Sequence, residues 1–554
     1  MLNLSRENGM SGPIQRNEMP SARAKIPVVD IFAGPGGLGE GFEAYRGSSD
    51  FKVTLSVEKD EWAHRTLKLR SFFRQFPDGL VPEMYYDYVR GDAGVTRDKL
   101  WAEFPEQARA AERIVWQAEL GKASLSEVMD RIGKAIEGQR HWALLGGPPC
   151  QAYSIIGRAR MRGLEGFAED KRHTLYREYL KIIAAYQPTV FVMENVKGIL
   201  TSTHNKSPIF ERILSDMRAP WGALTDEDRE LIPEPDQKHR YHIVSFAKPA
   251  SRYLDLHPSD YILECERYGI PQARHRVILF GIRADYDVQV PDLQERPPNT
   301  VRDTIEGMPE LRSVFSLGNS RKTKDPDIWI DSIWNGFKKV LQDIKEESLS
   351  QKLLDSLGGL KHHAATGGRY IPGDFTPKAL KDWLHDPRMG GVVQHETRAH
   401  MASDLQRYLF AASYGECHGV SPKLRDFPEK LLPHHANVQK NKEVKHFADR
   451  FRVQLWDQPS STVTSHIAKD GHYYIHPDPC QVRSLTVREA ARLQTFPDNY
   501  FFEGNRTQAY HQIGNAVPPY LALQLADVVS HVIKQCLEQD EMLKNSSLRV
   551  MAAS

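Results

Sequence analysis

The stretch Trp142-Ala-Leu-Leu-Gly-Gly-Pro-Pro-Cys-Gln-Ala-Tyr-Ser-Ile155 decides how the rest of the chain is interpreted. Its apolar start ends at a pair of glycines, as a buried strand ends in a turn. Pro148 and Pro149 then stiffen the backbone, and Cys150 follows directly. In open α/β sheets, ligands and catalytic groups lie at the carboxyl ends of the strands. Cys150 is therefore a candidate nucleophile, and a buried structural thiol is the alternative for these residues taken alone.

The composition is typical of a soluble globular protein with two or more domains. The chain has 554 residues, of which 40% are hydrophobic and 26% charged, and its formal net charge is only +1. Any nucleic-acid surface must therefore be a local basic patch. The five cysteines show no paired spacing, which indicates a reducing compartment. No apolar run approaches the roughly 20 residues of a membrane span, and we expect residues 1–25 to be a mobile tail rather than a signal peptide.

A glycine-rich loop follows the first predicted strand. Residues 26–32 form a short apolar strand, and residues 34–39 (Gly-Pro-Gly-Gly-Leu-Gly) satisfy the pattern G-x-G-x-x-G before a predicted helix. A second predicted strand, 52–57, is followed by Glu58. This order is typical of nucleoside binding, because the glycines allow close approach and the acid accepts hydrogen bonds from ribose hydroxyls. A glycine-rich turn beside a surface glutamate is the alternative at this point.

Two further predicted strands carry polar residues at their ends. Residues 189–193 form a buried strand by pattern, and Glu194 at its end is suited to proton donation. Alternation along the next strand places Gln272, Arg274 and Arg276 on one side. Two arginines that face inward require a carboxylate or a ligand as partner. The alternative for Glu194 is a structural ion pair at the sheet edge. The alternative for Arg274 and Arg276 is that their side of the strand faces solvent.

Two stretches between these strands are interpreted as inserts. A third strand is predicted to end at residues 88–92, where Asp92 would accept a hydrogen bond from an adenine amino group, unless it is a turn or N-cap residue. The helix-leaning stretch 94–141 and the variable stretch 201–260 carry no recognisable chemistry. We therefore expect both to cover a domain whose first part spans residues 26–284.

Residues 285–455 show a different sequence pattern from the residues before them. Loops, short helices and basic clusters replace the alternation of strands and helices, which predicts a smaller domain inserted into the first. Regular structure returns over 456–538, where Thr486 and Glu489 predict a capping box at the start of a helix. Residues 539–554 are predicted to be a tail. No spacing of His and Cys residues predicts a metal site.

Taken together, these motifs resemble those of the cytosine-5 DNA methyltransferases, the bacterial modification enzymes in particular. The matching motifs keep the family's order: Phe-Ala-Gly-Pro-Gly-Gly (32–37), Glu58, Gly-Asp (91–92), Gly-Pro-Pro-Cys-Gln (147–151), Glu-Asn-Val (194–196), Gln-x-Arg-x-Arg (272–276), Leu-Thr-x-Arg-Glu-Ala-Ala-Arg-Leu-Gln-x-Phe-Pro (485–497) and Gly-Asn-Ala-Val-Pro-Pro (514–519). The resemblance implies an α/β fold, namely a Rossmann-like methyltransferase sheet with helices on both faces. It also implies that 285–455 is the family's variable target-recognition domain.

The resemblance further implies a mechanism and a role for each catalytic residue. Cys150 would attack carbon-6 of a flipped-out cytosine while Glu194 donates a proton to N3, so that carbon-5 can take a methyl group from S-adenosylmethionine. Arg274 would hold Glu194, and Arg276 would contact the base carbonyl. Residues 155–175, which are rich in Gly, Arg and Lys, would form a lid over the flipped base, and an ordinary solvated loop is the alternative for these residues taken alone.

The binding residues are implied in the same way. The cofactor site would be lined by Phe32, Gly34, Gly37, Glu58, Asp92, Pro149, Asn515 and Ala516. We expect the DNA to be contacted by Gln151, Ser154, Arg158 and Gln272. One departure concerns adenine stacking, since Lys59 stands where some relatives have an aromatic ring.

The expected partner is double-stranded DNA, bound by a monomer at the nucleoid in a bacterial cytoplasm, with a cognate restriction endonuclease acting separately. The long 285–455 segment favours duplex DNA, because sequence readout needs a domain that reaches the major groove. An RNA cytosine methyltransferase and a catalytically silent DNA-binding relative stay open as alternatives. A nicotinamide dehydrogenase would share the glycine loop and Glu58, but it gives no reason for the Pro-Pro-Cys-Gln motif.

Overall fold

A computed structural model describes residues 24–77, 79–149, 175–204, 207–248, 256–433 and 449–553. Some predicted features lie outside these residues. They are Cys150, Gln151, Ser154 and Arg158, the predicted lid up to residue 174, and the predicted tail up to residue 23.

The strands, in chain order, are β1 Ile26–Ile31, β2 Phe51–Glu58, β3 Val115–Gln117, β4 Ala143–Gly146, β5 Val190–Val196, β6 Thr203–His204, β7 Ser207–Pro208, β8 Tyr241–Ser245, β9 Ile262–Glu264, β10 Gln272–Ala273, β11 His275–Arg283, β12 Val314–Gly318, β13 Arg321–Thr323, β14 Gly367–Pro372, β15 Gly391–Glu396, β16 Ala399–His400 and β17 Ser460–Ser461.

The α-helices are α1 Gly37–Ala44, α2 Glu61–Phe73, α3 Glu83–Arg90, α4 Arg97–Glu103, α5 Pro105–Ile114, α6 Leu125–Ile136, α7 Tyr176–Tyr186, α8 Ile209–Arg218, α9 Asp226–Leu231, α10 Val301–Ile305, α11 Pro326–Leu341, α12 Glu347–Gly358, α13 Lys381–Leu384, α14 Ala402–His418, α15 Val487–Leu493, α16 Arg506–Asn515 and α17 Pro519–Ala553. Short 3₁₀ turns include Lys197–Thr201, Cys265–Arg267 and Ser465–Ala468.

Within the described chain, eight strands form the central sheet in the order β3-β2-β1-β4-β5-β11-β8, and β9 also pairs with β11. Strands β1 to β5 pair in parallel, whereas β11 runs antiparallel to β5, β8 and β9. The strand order reverses direction between β1 and β4. Ligands of such sheets bind outside the carboxyl ends of the strands at this switch point.

Helices cover both faces of the sheet, as the fold class predicted. One apolar layer contains Ile132 of α6, Ile183 of α7 and Ile213 of α8 against alternate residues of the sheet. The opposite layer contains Phe42 of α1 and Val529 of α17. Burial of these two layers holds the strand ends at fixed positions, and the candidate site depends on that rigidity.

The two predicted inserts turn out to contribute strands to the sheet. Residues 94–141 contain β3, which pairs with β2, and residues 201–260 contain β8, which pairs with β11. Both strands are short edge strands enclosed by helical sequence. The alternation of apolar and polar residues that indicates a strand is therefore too short in both stretches to be recognised within helical sequence.

The predicted strand at residues 88–92 is wrong, because this stretch ends helix α3. Tyr85, Tyr86 and Val89 follow helical spacing and bury one face of α3 in an apolar cluster. Gly91 in the left-handed conformation then ends the helix. Asp92 consequently lies in an exposed turn after a helix, and it does not follow a strand of the sheet.

The region predicted as a second domain has an apolar core of its own. Helices α11, α12 and α14 pack around Trp329, Leu353 and Leu409. The same core includes Ile475 and Val482, which lie beyond the predicted boundary at residue 455. The packing unit therefore continues into the following segment.

The predicted capping box at the start of α15 is confirmed. The Thr486 side chain accepts the Glu489 backbone N–H, and the Glu489 carboxylate accepts the Thr486 N–H. Glu489 is also fully buried against Arg483, with N–O distances of 2.7 and 2.8 Å. This buried ion pair anchors the helix that follows the second core.

The predicted C-terminal tail is instead helical, because α17 continues from Pro519 to Ala553. Asp540 is buried and bonds the His141 ring at 3.1 Å, so the helix is held beyond the predicted boundary at residue 538. A stretch within Arg506–Arg549 is long and apolar enough to cross a membrane, but 78% of its apolar window is buried inside the protein. That burial is the pattern of a core helix packed on a sheet.

Candidate active site

The segment that leads to Cys150 lies beside Glu194. Strands β4 and β5 are parallel neighbours, so their carboxyl ends meet at the same edge of the sheet. A Cβ atom placed on Gly147 would lie 3.0 Å from Glu194 Oε2, and Asn195 Nδ2 donates to the Pro148 carbonyl at 3.3 Å. The backbone three residues before Cys150 is therefore fixed against the Glu-Asn-Val motif.

Glu194 is paired with Arg276. Arg276 Nε lies 2.8 Å from Glu194 Oε1, and both side chains are close to nine-tenths buried. The two residues sit on adjacent antiparallel strands, β5 and β11, near the ends where they meet. The resemblance assigned this contact to Arg274, and the structure gives it to Arg276 instead.

Arg274 binds three backbone carbonyls instead. Its guanidinium donates to Val463 O at 2.7 Å, Gly514 O at 3.2 Å and Ala516 O at 2.7 Å. Burial, reinforced by the nearby charge of Arg276, lowers the pKa of Arg274 to about 9. Arg274 lies in the break between β10, which pairs with β17, and β11, which joins the central sheet. Its guanidinium is therefore bound by backbone carbonyls of distant segments, and the ion pair with Glu194 is made by Arg276.

Gln272 was predicted to contact DNA, and its surroundings contradict this. The side chain is fully buried, its Oε1 accepts the Val463 N–H at 2.8 Å, and its Nε2 donates to Leu493 O at 3.2 Å and to Gln494 Oε1. No polar atom of Gln272 is left for a base or a phosphate. Alternation predicted the side of the strand correctly but could not reveal what covers that side.

The glycine-rich loop joins β1 to α1 in a left-handed path. Phe32, Gly34 and Gly36 have φ angles of +54°, +58° and +93°. Glu58 Oε2 accepts the Gly34 N–H at 2.8 Å, and Oε1 accepts the N–H groups of the next two residues. Burial raises the pKa of Glu58 in spite of these hydrogen bonds. The carboxylate therefore holds the loop in shape at the end of β2.

The C-terminal Gly-Asn-Ala-Val-Pro-Pro motif packs against this loop. A Cβ atom on Gly37 would lie 2.1 Å from Val517 O, so only glycine permits this approach. The Tyr500 hydroxyl donates to the Pro35 carbonyl on the other side. Asn515 is exposed beside this contact, whereas Ala516 is buried and faces Arg274. The fold thus brings residues 515–517 to the glycine loop, although they are far away in sequence.

Asp92 is the cofactor candidate that the fold does not bring to this edge. Gln117, at the end of β3, lies opposite Glu58 in the β2–β3 pair. Its Nε2 donates to Lys59 O at 3.4 Å. The strand-end position expected for Asp92 is therefore occupied by Gln117, which sequence reasoning missed because β3 was not recognised.

Three other residues of the site were missed as well: Asp30, Asn195 and Gln494. Asp30 is buried in β1, and a Cβ atom on Gly39 would lie 3.1 Å from its carboxylate. Burial raises the pKa of Asp30 to about 7. The sequence does give a sign of Asp30, because an acidic residue is unexpected inside the apolar run that precedes the glycine loop. Asn195 and Gln494 lie within quoted motifs, but their hydrogen bonds reach segments that only the fold brings near.

The described residues thus bring together a carboxylate–guanidinium pair, a glycine loop closed by a glutamate, and the segment that precedes a cysteine. Over the described ranges, no group of three or more His, Cys, Asp or Glu residues is arranged to hold a metal ion. The arrangement can hold a proton donor beside a planar base, with a nucleoside-like ligand at the neighbouring strand ends.

Comparison with known proteins shows the family to which the chain belongs. The sequence model of the C-5 cytosine-specific DNA methylases matches residues 111–219 and 254–531. The chain is 31% identical over 526 residues to the type II methyltransferase M.Bpa9945I of Bacillus paralicheniformis, covering 91% of this chain and 99% of the relative. It is 25% identical to the type II methyltransferase M.AgeI of Thalassovita gelatinovora, covering 92% and 100% of the two chains.

A solved structure of a prophage-encoded E. coli protein, described as a DNA modification methyltransferase, superposes with a TM-score of 0.48. Its sequence is 18% identical, and the match covers 92% of this chain and 100% of that one. The family match spans well over half of the chain, and it includes both members of the Arg276–Glu194 pair. The chain therefore belongs to the C-5 cytosine-specific DNA methylase family and is a DNA cytosine-5 methyltransferase.

Proposed function

We propose that this protein transfers a methyl group from S-adenosylmethionine to carbon-5 of a cytosine within a specific double-stranded DNA sequence, through a covalent bond to Cys150. The observation that carries the proposal is the Arg276–Glu194 ion pair at 2.8 Å, next to the backbone of Gly147. A buried carboxylate held by a guanidinium, beside the segment that leads to a cysteine, is suited to activating a base for attack.

The residues around the glycine loop fit S-adenosylmethionine. No atom lies within 4 Å of a Cβ placed on Gly34, so space is open there, whereas Gly36 and Gly37 pack tightly against protein. Glu58 offers carboxylate oxygens to ribose hydroxyls, and Gln117 at the next strand end offers an amide. Phe32, Pro149 and Asn515 stay assigned to the same site. When bound, the cofactor would supply the methyl group on a sulfonium.

The chain's own residues then perform the rest of the reaction. The Cys150 sulfur forms a bond to carbon-6 of cytosine while Glu194 donates a proton to N3, which makes carbon-5 nucleophilic enough to take the methyl group. Loss of the carbon-5 proton to a base, cleavage of the sulfur–carbon-6 bond and return of the N3 proton to Glu194 release 5-methylcytosine and restore the enzyme. Arg276 holds the Glu194 carboxyl group in place through the ion pair.

Access to carbon-6 requires the cytosine to leave the duplex. The ring is stacked between neighbours in B-DNA, so we infer that the base is flipped out of the duplex to reach Glu194 and Cys150. Residues 155–175 are proposed to close over it, with Gln151, Ser154 and Arg158 contacting the DNA. The catalytic motifs read one base, and reading of its neighbours is assigned to the region with the second apolar core.

The biological setting follows from the relatives. M.Bpa9945I and M.AgeI are both named type II methyltransferases. We propose that this protein likewise protects a specific sequence in a bacterial cytoplasm, as a monomer paired with a separately acting restriction endonuclease. Bisulfite sequencing of DNA from cells that express the protein would identify the modified sequence.

The covalent step is tested with Cys150→Ser. A hydroxyl at neutral pH is a far weaker nucleophile than a thiol that is a few per cent ionised, so turnover should fall below detection while DNA binding persists. Methyl incorporation into duplex DNA and into RNA should be measured alongside binding on the same preparations. Activity of Cys150→Ser within about tenfold of the unmodified enzyme would exclude the covalent mechanism. Methylation of RNA alone would refute the substrate assignment.

A further inference from the structure

Five buried hydrogen bonds close a ring that includes Arg274, two residues before Arg276. The Val463 N–H donates to Gln272 Oε1 at 2.8 Å, Gln272 Nε2 donates to Gln494 Oε1, and Gln494 Nε2 donates to Ala516 O at 2.6 Å. Arg274 closes the ring by donating to Ala516 O and to Val463 O, both at 2.7 Å. We call these groups the polar ring.

The polar ring joins segments that are far apart in sequence. Gln272 and Arg274 lead into β11, Gln494 follows α15, and Ala516 follows α16. Val463 belongs to the segment 460–464, which runs beside β10 through the pairs Gln272↔Ser460 and Ala273↔Ser461. The side chains of Gln272, Arg274 and Gln494 are each at most 1% exposed. Gln272 belongs to the two-residue strand β10, and the other members of the ring lie outside helices and strands. The ring therefore fixes the relative positions of segments that regular hydrogen bonding does not hold.

One side of the polar ring reaches the glycine loop. Ala516 is followed by Val517, whose carbonyl would lie 2.1 Å from a Cβ atom on Gly37. Gly514 packs just as tightly against the segment after Val463, since a Cβ atom placed on it would lie 2.2 Å from Ser465 N. A shift of residues 514–517 must therefore move both the glycine loop and the segment around residue 465.

The other side leads to the Arg276–Glu194 pair and to the second apolar core. Arg274 precedes Arg276 by two residues, and Arg276 holds Glu194. The segment that contains Val463 is preceded by Phe451 and Val453, which pack into the second apolar core. Thr462 also donates to Ala273 O at 2.6 Å. The polar ring therefore lies between the proposed cofactor edge and the elements assigned to DNA.

We propose that the polar ring couples cofactor binding to DNA binding, with Gln494 as the positioning residue that links the Ala516 carbonyl to Gln272. Ordering of residues 515–517 by a bound cofactor is transmitted through Gln494 and Arg274 to Val463 and to the strand that carries Arg276. Coupling of this kind is reciprocal, so DNA tightens cofactor binding by the same factor. The inference rests on the proposed function, because it requires both ligands to bind where assigned.

The test is a thermodynamic cycle on the full-length protein. S-adenosylhomocysteine, a cofactor analogue that carries no methyl group to transfer, is titrated by calorimetry into the protein alone and into its complex with methylatable duplex DNA. We expect DNA to tighten binding of the analogue by about 5-fold or more. In Gln494→Met, which keeps the side-chain length but has no amide, this factor should fall to within about 2-fold of unity.

Gln524→Met is the matched control. Gln524 is also a buried glutamine whose amide donates to a backbone carbonyl, Tyr268 O at 3.0 Å, but it lies on α17 outside the polar ring. This variant should keep the coupling factor of the unmodified enzyme. Gln494→Glu, which retains an acceptor for Gln272 and loses the donor to Ala516, should behave like Gln494→Met.

The possible outcomes separate this inference from the proposed function. If the unmodified protein bound neither the analogue nor DNA, the proposed function would fall, and the coupling with it. If both ligands bind and the coupling factor is the same in Gln494→Met and in the unmodified enzyme, only the coupling role of the polar ring is wrong. Equal loss of coupling in Gln524→Met would also overturn it, because general loosening of the core would then explain the effect.

Discussion

Arg276 and Glu194 face each other across the β5–β11 strand pair, with 2.8 Å between guanidinium and carboxylate. Neither residue is close to the other in sequence, and neither could be held at this depth without its partner, since an isolated buried charge is costly. The pair positions the proton donor of the proposed reaction, and Arg274, two residues earlier, is left free to organise the backbone.

Loss of Arg276 should impair chemistry more than binding. In Arg276→Gln the Glu194 carboxyl group loses its fixed orientation, and we expect kcat to fall by about 100-fold or more, the scale of general acid catalysis. DNA affinity should change by only a few fold. Single-turnover methylation and DNA binding measure the two effects. Arg283→Gln is the control, because Arg283 lies on the same strand and pairs with Asp285 instead. Equal activity of the two variants would contradict the assignment.

Alanine should destabilise the fold more at Gly37 than at Gly34, although both belong to the glycine loop. Gly37→Ala places a Cβ atom 2.1 Å from the Val517 carbonyl, so the loop or the C-terminal motif must move. In Gly34→Ala the added Cβ atom meets no atom within 4 Å. Its free energy of unfolding should fall by only about 1 kcal/mol, because alanine is strained at a φ of +58°. Thermal unfolding without cofactor should therefore show a clearly larger loss for Gly37→Ala. Gly222→Ala, with open space around it, serves as the reference.

Glu58 should contribute to cofactor affinity through its carboxylate. Losing a charge-assisted hydrogen bond costs roughly 1.5–3 kcal/mol, so Glu58→Ala should bind S-adenosylmethionine about 10- to 100-fold more weakly. Calorimetric titration measures this difference. Glu58→Gln, which can still accept one of the loop N–H groups, should lose less. Unchanged affinity in Glu58→Ala would mean that the ligand lies elsewhere.

Stability at acid pH should depend on Glu40. This residue is buried between Arg70, at 2.5 Å, and Arg74. Burial alone would raise the pKa of Glu40, but the two guanidinium groups outweigh it and lower the pKa to about 2. A carboxylate with a lowered pKa stabilises the folded state above its ordinary value of 4.5, and this contribution is lost as the pH falls toward 2.

The measurement is urea unfolding of the unmodified protein and of Glu40→Gln at several pH values. At pH 7 we expect Glu40→Gln to be less stable by about 3 kcal/mol, because two buried arginines lose their partner. The difference should shrink steadily below pH 4.5. A constant difference down to pH 2.5 would show that the charge of Glu40 does not stabilise the fold.

Sequence specificity should move with the second apolar core. We expect a chimaera that exchanges residues 285–484 for those of a relative with a different target to methylate the relative's sequence. An exchange that stops at residue 455 should be less stable, because Ile475 and Val482 belong to the same core. Bisulfite sequencing and thermal unfolding check the two expectations. An active long chimaera that still methylates the original sequence would place specificity in the catalytic part.

The sequence by itself determined the order of strand-end motifs, and with it the fold class. Apolar runs that end in Gly-Pro-Pro-Cys, Glu-Asn-Val or a glycine loop are local patterns, and a parallel sheet brings their ends to one edge. Family membership, the glycine loop beside Glu58 and the capping box of α15 could be predicted for this reason. Each depends on residues within a few positions of one another, or on a strand–loop–helix order.

Only the tertiary structure decided which side chains meet across distant segments. Arg276 rather than Arg274 reaches Glu194 because β10 leaves the central sheet to pair with β17, and no local pattern encodes that pairing. Gln272 is covered by residues more than 180 positions away, so alternation could not reveal that it faces protein. Edge strand β3 was missed because three residues are too short to show a period. Hydrogen bonds between irregular segments depend on packing of the whole chain, and their partners are absent from any short window of sequence.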